Sequence, residues 1–354
     1  MKIKLIKLVL FLLVIVAAFK VVITIYNEAL KDKEDPLTPH LIANENFSVN
    51  TNKDTVLISQ KGTIIILKRN IFYDCNSKSI KGNITISLKE VFSGSDIAIS
   101  GIATMANRKI LESGGMICLN AYKENKLLCL KDNSHIGIIM KNETGNDKMH
   151  VFKGKKINKI LDWRNPSPVI SNTLFIKKSE KELQWQKMDD SIPEELGLLK
   201  TNLDRRIYDS LIQAYKLEDQ FRQDLYTVFE ANELGWMNID RFANEYKTDN
   251  VNFTVKIYNR PKYKNVFVRM IFVDKKIQLS GLELNNGKFI FGKTGSSEVN
   301  LPLGQKIIII VTSFHKSKPF IGISEIKIEK NQNIFLKLEE SSIEKIKEII
   351  RNKI

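Results

Sequence analysis

Three cysteines in 354 residues, Cys75, Cys118 and Cys129, are too few and too widely spaced for a structural zinc site, which needs close Cys/His pairs. Cys118 and Cys129 flank an expected hairpin turn at Glu124-Asn125. A disulfide between them in an oxidising compartment, or two small buried side chains on a β-face, both fit that spacing. The four histidines, His40, His135, His150 and His315, stand apart, with no His-Glu-x-x-His pair for a metal. No Gly-x-Ser-x-Gly elbow is present to expose a serine nucleophile. Arginine supplies only 10 of the 55 basic residues. It is the side chain that reads phosphates and guanine edges bidentately, whereas lysine acts as a hydrated point charge. The net charge of +15, spread over lysines in ones and twos, is therefore read as a solvated surface or an attraction to anionic envelope polymers, not as a nucleic-acid interface.

One nucleotide-binding pattern occurs literally: Gly287-Lys-Phe-Ile-Phe-Gly292-Lys293-Thr294 matches G-x-x-x-x-G-K-[ST]. A phosphate cradle needs a helix starting at that lysine, so that backbone amides converge on the anion. Here the interior of the pattern reads as a strand, and the Gly-Ser-Ser run that follows, ending at Pro302, does not read as a helix. Glu112 beside Gly114-Gly115 has no second carboxylate obviously paired with it, and the two glycines read as a bulge more readily than as a ligand cradle. The expectation is a protein without catalytic residues, cofactor or metal.

What the chain does have begins with an apolar segment. Lys2, Lys4 and Lys7 precede an unbroken apolar run from Leu8 to Phe19, and after Lys20 the apolar character resumes to Tyr26. Residues 5–26 approach the roughly 20 needed to span a bilayer, and the positive flank should stay in the cytoplasm. The segment is read as an uncleaved anchor or, through Val16-Ala17-Ala18, as a cleaved signal. Either places the remainder outside the cytoplasm: anchored to the inner membrane with its domains in the periplasm, or exported to the envelope or cell surface. Residues 27–52, with charges, two prolines and several asparagines, read as a tether.

Residues 53–165 show short β-branched runs broken by turn residues, among them Thr63–Leu67, Ile84–Leu88 and Ile97–Ser100, which argues for an antiparallel sandwich. Residues 166–224 change character: Ser191-Ile-Pro-Glu-Glu195 resembles a helix start, and Leu196, Leu199, Leu203, Ile207, Leu211 and Tyr215 recur at helical spacing. A second set of strands is expected over residues 225–340, at Phe253–Tyr258, Val266–Val273, Lys288–Phe291, Ile307–Thr312 and Ile334–Leu338. Residues 341–354 open on a capping box, Ser341-Ser-Ile-Glu344, and carry Ile343, Ile346, Ile349 and Ile350 on one stripe of a short helix. The fold class expected is mainly β: two antiparallel sandwich domains joined by a helical segment, with an N-terminal membrane or signal helix and a C-terminal amphipathic helix.

The order Asn70-Ile71-Phe72, Lys89-Glu90, Ser95-Asp96, Leu111-Glu-Ser-Gly-Gly-Met116, then Phe152, Gly154 and Trp163, resembles a family of uncharacterised envelope proteins of Gram-negative (Bacteroidota-type) bacteria. The first domain of that family is similar to the ZU-type β-sandwich of ankyrins and netrin receptors, an interaction module. Leu234-Gly-Trp-Met-Asn-Ile-Asp-Arg-Phe242 resembles a second signature of the same proteins, with Met237 where isoleucine is usual. The strands after it resemble the regulatory β-sandwich attached to some carboxypeptidases. With no catalytic grouping in the sequence and a first domain similar to an interaction module, the chain is expected to bind or scaffold in the envelope, with an envelope protein or a glycan as partner and the membrane contacted through residues 5–26. The rival reading is an envelope hydrolase or processing factor with a site assembled from loops. Trp236 and Phe242 are candidates for an aromatic platform, with Asn238 and Asp240 as its hydrogen-bonding groups. The competing reading of the same four residues is a core anchor.

Overall fold

The computed structural model describes residues 42–354 apart from residues 77, 108, 142–148, 158–159, 170–225, 244–247, 250, 259–262, 285–286, 292, 295–296, 299 and 317. The expected anchor at 5–26, most of the tether and the helix over 191–215 lie outside the described residues. Among the described residues no helix is long and apolar enough to cross a membrane.

The chain is mainly β, built from several sheets, with two α-helices among the described residues. One sheet runs, in spatial order, β1 (Glu45–Asn50), β3 (Asn83–Val91), β4 (Lys109–Lys123), β8 (Gly235–Phe242), β5 (His150–Ile157) and β6 (Ile160–Pro168). β2 (Ile64–Leu67) and β7 (Tyr226–Ala231) belong to a smaller, four-stranded sheet. The inner face of the first sheet, with Ile84, Ile86, Leu88, Ile117, Leu119, Met237 and Ile239, packs on a smaller sheet that carries Ile65, Ile138, Met140 and Phe229. Alternation over Asn83–Val91 puts Ile84, Ile86 and Leu88 into that core.

Several boundaries differ from the reading of the sequence. Residues 45–50, within the expected tether, are an edge strand paired with β3. Residues 226–242 hydrogen-bond into the first group of strands: β7 pairs with Ile136–Lys141, and β8 lies between β4 and β5. The Ile97–Ser100 run is not a strand. It belongs to helix α1 (Gly94–Ser100), because Ser93 Oγ caps the Asp96 amide at 3.0 Å and Gly101 closes the helix at φ 67°. Those local signals outweigh the β-preference of two isoleucines.

A second pair of sheets carries most of the described strands after Phe242. β9 (Asn252–Ile257), β12 (Lys288–Phe291) and β15 (Asn331–Leu336) share one sheet. β10 (Lys264–Phe272), β11 (Ile277–Ser280), β13 (Lys306–His315) and β14 (Lys318–Lys327) share the other. Phe253, Val255, Phe289 and Phe291 face Val268, Met270, Ile309 and Val311 in one core. The pairing of β9 with β15 is parallel, the exception among the otherwise antiparallel ladders of the described residues. Helix α2 (Ile343–Lys353) starts at Ser342, whose hydroxyl accepts from the Lys345 amide, and buries Ile346 and Ile350.

The two groups of strands are locked together through residues 94–113. Ala98 and Ile99 of α1 pack with Ile271, Ile308, Ile310, Ile346 and Ile350 on the outer face of the second group. Gln278, fully buried, donates through Nε2 to the Ile102 carbonyl at 2.9 Å. Its amide and carbonyl exchange hydrogen bonds with Thr104. Arg269, also buried, lies so close to Gly101 that a Cβ there would stand 2.9 Å from Nη2. Burial lowers its pKa to about 10, which still leaves the guanidinium charged at neutral pH, near the C-terminal end of α1.

Candidate functional site

Trp236, Asn238, Asp240 and Phe242 alternate along β8 and face away from the sandwich interior, as their spacing implies. That face is covered. Ile97, Ile102, Ala106, Leu111, Met116, Phe152 and Trp163 form a second apolar layer, with Trp236 and Phe242 half-buried at its margin. Phe242 meets Phe152 edge to face at 5.6 Å, and Lys109 Nζ sits 5.2 Å from its centroid.

Asn238 and Asp240 are fully buried. A register shift between Ile239 and Asp240 leaves Gly114 without a partner, the bulge that two glycines suggest. Gly115 takes φ 139° there, and an added Cβ would stand 2.7 Å from Phe92. The bulge turns Ser113 onto the same face, where its hydroxyl donates to Asn238 Oδ1 at 3.0 Å. Asn238 Nδ2 in turn donates to Asp240 Oδ2. The other oxygen, Asp240 Oδ1, has no hydrogen-bond partner. These groups bond to one another beneath a covered surface, so they do not form an open platform for a sugar or peptide. Glu112 is buried and accepts from Arg241 Nη2 at 3.0 Å.

Burial raises the Asp240 carboxyl well above its ordinary range; Ser113 and Asn238 oppose this, and the Glu112 charge adds to it. The native state therefore holds a proton that the unfolded chain releases, so stability falls as pH rises from the ordinary aspartate pKa towards the raised native one. Asp240→Asn removes that loss. We expect it to stabilise the protein by about 1–3 kcal/mol at neutral pH and to flatten the decline, with no gain in strong acid. Urea unfolding across pH checks this; equal pH slopes for the variant and the parent would refute it. Glu90, likewise raised by burial and accepting from Ser59 Oγ at 2.7 Å, keeps its own share of the slope in both proteins.

The remaining motifs take ordinary places. Lys288–Phe291 and Lys293–Thr294 are strands, so no helix starts at Lys293. The His315 ring packs edge-on against Phe320. Among the described residues, no group of three His, Cys, Asp or Glu side chains is placed to hold a metal. Of the two readings of Cys118 and Cys129, Cys118 takes that of a small buried side chain, whereas Cys129 bonds Cys75. The Glu124-Asn125 turn forms, both residues at positive φ, but beyond Leu127 the chain leaves β4 and pairs with Phe72–Asp74. That move carries Cys129 away from Cys118 and beside Cys75.

A different surface gathers what the β8 face lacks. Six large apolar side chains are exposed among the described residues, and four of them, Tyr258, Leu282, Leu284 and Phe335, lie on the outer face of the β9–β12–β15 sheet. Register places Leu282 beside Ile290 and Lys288 beside Lys256, with Phe335 on the far side of Lys256. Tyr258 and Phe335 are 56% and 53% exposed, with ring centroids 5.9 Å apart. Lys256 Nζ stands 5.4 Å from the Phe335 centroid. No single sequence motif marks this patch; it forms only when three segments distant in the chain, residues 252–258, 282–291 and 331–336, come into register.

The chain matches no family model, no curated protein and no solved structure.

Proposed function

We propose that this is a non-enzymatic binding or scaffolding protein of the bacterial envelope, built from two β-sandwich modules and acting through a sheet face, its edge and loops. The carrying observation is the clustering of exposed apolar side chains on the β9–β12–β15 sheet, while the polar groups of β8 are sealed in structural bonds. Contiguous apolar patches rimmed by polar groups mark interaction surfaces more often than isolated exposed side chains do. The Cys75–Cys129 disulfide accords with an oxidising, extracytoplasmic compartment, and residues 5–26 would supply the anchor. The resemblance to envelope proteins with a ZU-like module points to the same setting.

The test places a photo-crosslinking side chain at Tyr258, Leu282 or, as a control on the other group of strands, Leu127, in intact cells. A specific envelope protein or glycan captured from the first two positions and not from Leu127 supports the reading. Capture of cytoplasmic proteins alone, or of nothing above the Leu127 background, overturns it.

A further inference from the structure

The apolar face runs to a sheet edge with unusual character. β15 (Asn331–Leu336) pairs on one side with β9, and among the described residues no strand pairs with its other side. The inner ladder uses the even-numbered residues: Asn252 donates to the Lys330 carbonyl and Tyr258 to the Leu336 carbonyl. In a parallel ladder of this register, the amides and carbonyls of Asn331, Asn333 and Phe335 therefore point outward. Native edges are usually blunted by charge, proline, a bulge or brevity. The shortest edge strand of the facing sheet, Glu339–Glu340, is acidic, and β6 carries Asp162, Arg164 and two prolines. β15 reads Asn-Gln-Asn-Ile-Phe-Leu, with no charge, no proline and no register shift against β9.

Charge says what would pair with it. β9, β12 and β15 together carry two lysines, Lys256 and Lys288, and no carboxylate; Glu329 and Lys330 precede β15, and Glu283 lies on the short strand at the opposite edge of the sheet. Lys337, exposed, follows directly after the strand. We infer that β15 is an addition site for an extended peptide of a partner protein, with alternating apolar side chains and carboxylates at its ends. Its backbone would bond to Asn331, Asn333 and Phe335. Alternate side chains would cover Phe335 and extend the patch, and the carboxylates would meet Lys256 and Lys337. A second copy of this chain fits less well, because the lysines around the uncharged β15, Lys256, Lys330 and Lys337, outnumber Glu329 and would be brought beside their own copies. The inference rests on the binding role proposed above and names its site and class of partner.

Asn333→Pro isolates the edge, since it removes an outward amide and leaves the inward bonds of Gln332 and Ile334 in place. The probe is a synthetic peptide of alternating valine and threonine capped at both ends by glutamates, with a lysine-capped version for comparison. We expect the glutamate-capped peptide to bind the full chain and to slow hydrogen exchange at Asn331, Asn333 and Phe335. Asn333→Pro should weaken binding about tenfold or more. Lys256→Glu, which keeps the edge and alters only charge, should invert the preference between the two peptides. The inference is overturned by binding indifferent to both substitutions, by protection elsewhere, or by self-association through β15 that excludes the peptide. If these fail while Tyr258 or Leu282 still captures an envelope partner, the binding role stands and only the edge is refuted. If neither peptide nor crosslink reports a partner, both fall.

Discussion

Trp163→Ala should cost about 3–5 kcal/mol of folding stability, the scale for emptying a fully buried tryptophan site. Trp163 is fully buried on β6, between the outer face of the first sheet and residues 102–106, and its indole donates to the Ala103 carbonyl at 2.9 Å. Across the ladder stands Gly154, where a Cβ would come within 3.0 Å of the indole and 2.6 Å of the Trp236 Cβ, so two large rings share the space that one glycine leaves. The cavity left by alanine cannot collapse from below, because the sheet is fixed by its ladders. It can only draw in residues 102–106, which also hold Gln278 through Ile102 and Thr104. The loss should therefore loosen the junction between the two groups of strands as well as the first core. Trp163→Phe keeps most of the volume and loses the hydrogen bond, for a cost of about 1–2 kcal/mol. Guanidinium unfolding of both variants reads the difference. A Trp163→Ala protein within about 1 kcal/mol of the parent would show that the 102–106 layer is not packed as described.

Much of the architecture was legible in the sequence because it rests on local patterns. Alternation at Asn83–Val91 and the run Lys288–Phe291 marked strands, and spaced isoleucines after a serine cap marked α2. Local preference misled at Ile97–Ser100, where Ser93 and Gly101 frame a helix around residues that favour strands. Non-local pairing was harder to see. Nothing in the order of residues places β8 between β4 and β5 when 57 residues separate the end of β6 from the start of β7. The exposed face had no signature either, since Lys256, Leu282, Lys288 and Phe335 become neighbours only through strand register. For the β8 residues, alternation put four side chains on one face. What could not be read was that α1 and the residues after it cover that face, because the cover belongs to a segment more than a hundred residues earlier.

Loss of the Cys75–Cys129 bridge should lower stability by about 4 kcal/mol, the chain-entropy scale for a cross-link across 54 residues. The closed loop holds β3, α1 and all of β4, so it includes central strands of the first sheet and the helix that contacts the second group. Freed, the unfolded chain gains the freedom of that whole span, whereas the native contacts around Phe72 and Leu130 remain available. A deficit of about 4 kcal/mol is a large part of the 5–15 kcal/mol that a typical domain has. Cys75 lies at the surface and Cys118 is buried, so mild reduction followed by thiol labelling under native conditions should modify Cys75 and Cys129 and spare Cys118. Cys75→Ala with Cys129→Ala should match the reduced protein in guanidinium unfolding, and the parent should become insensitive to reductant once both are replaced. Should the double variant unfold at the parent's midpoint, the bridge would be dispensable to the fold. A chain that depends on the bridge is suited to an oxidising compartment, and the reductant sensitivity of its stability measures how far it depends on being there.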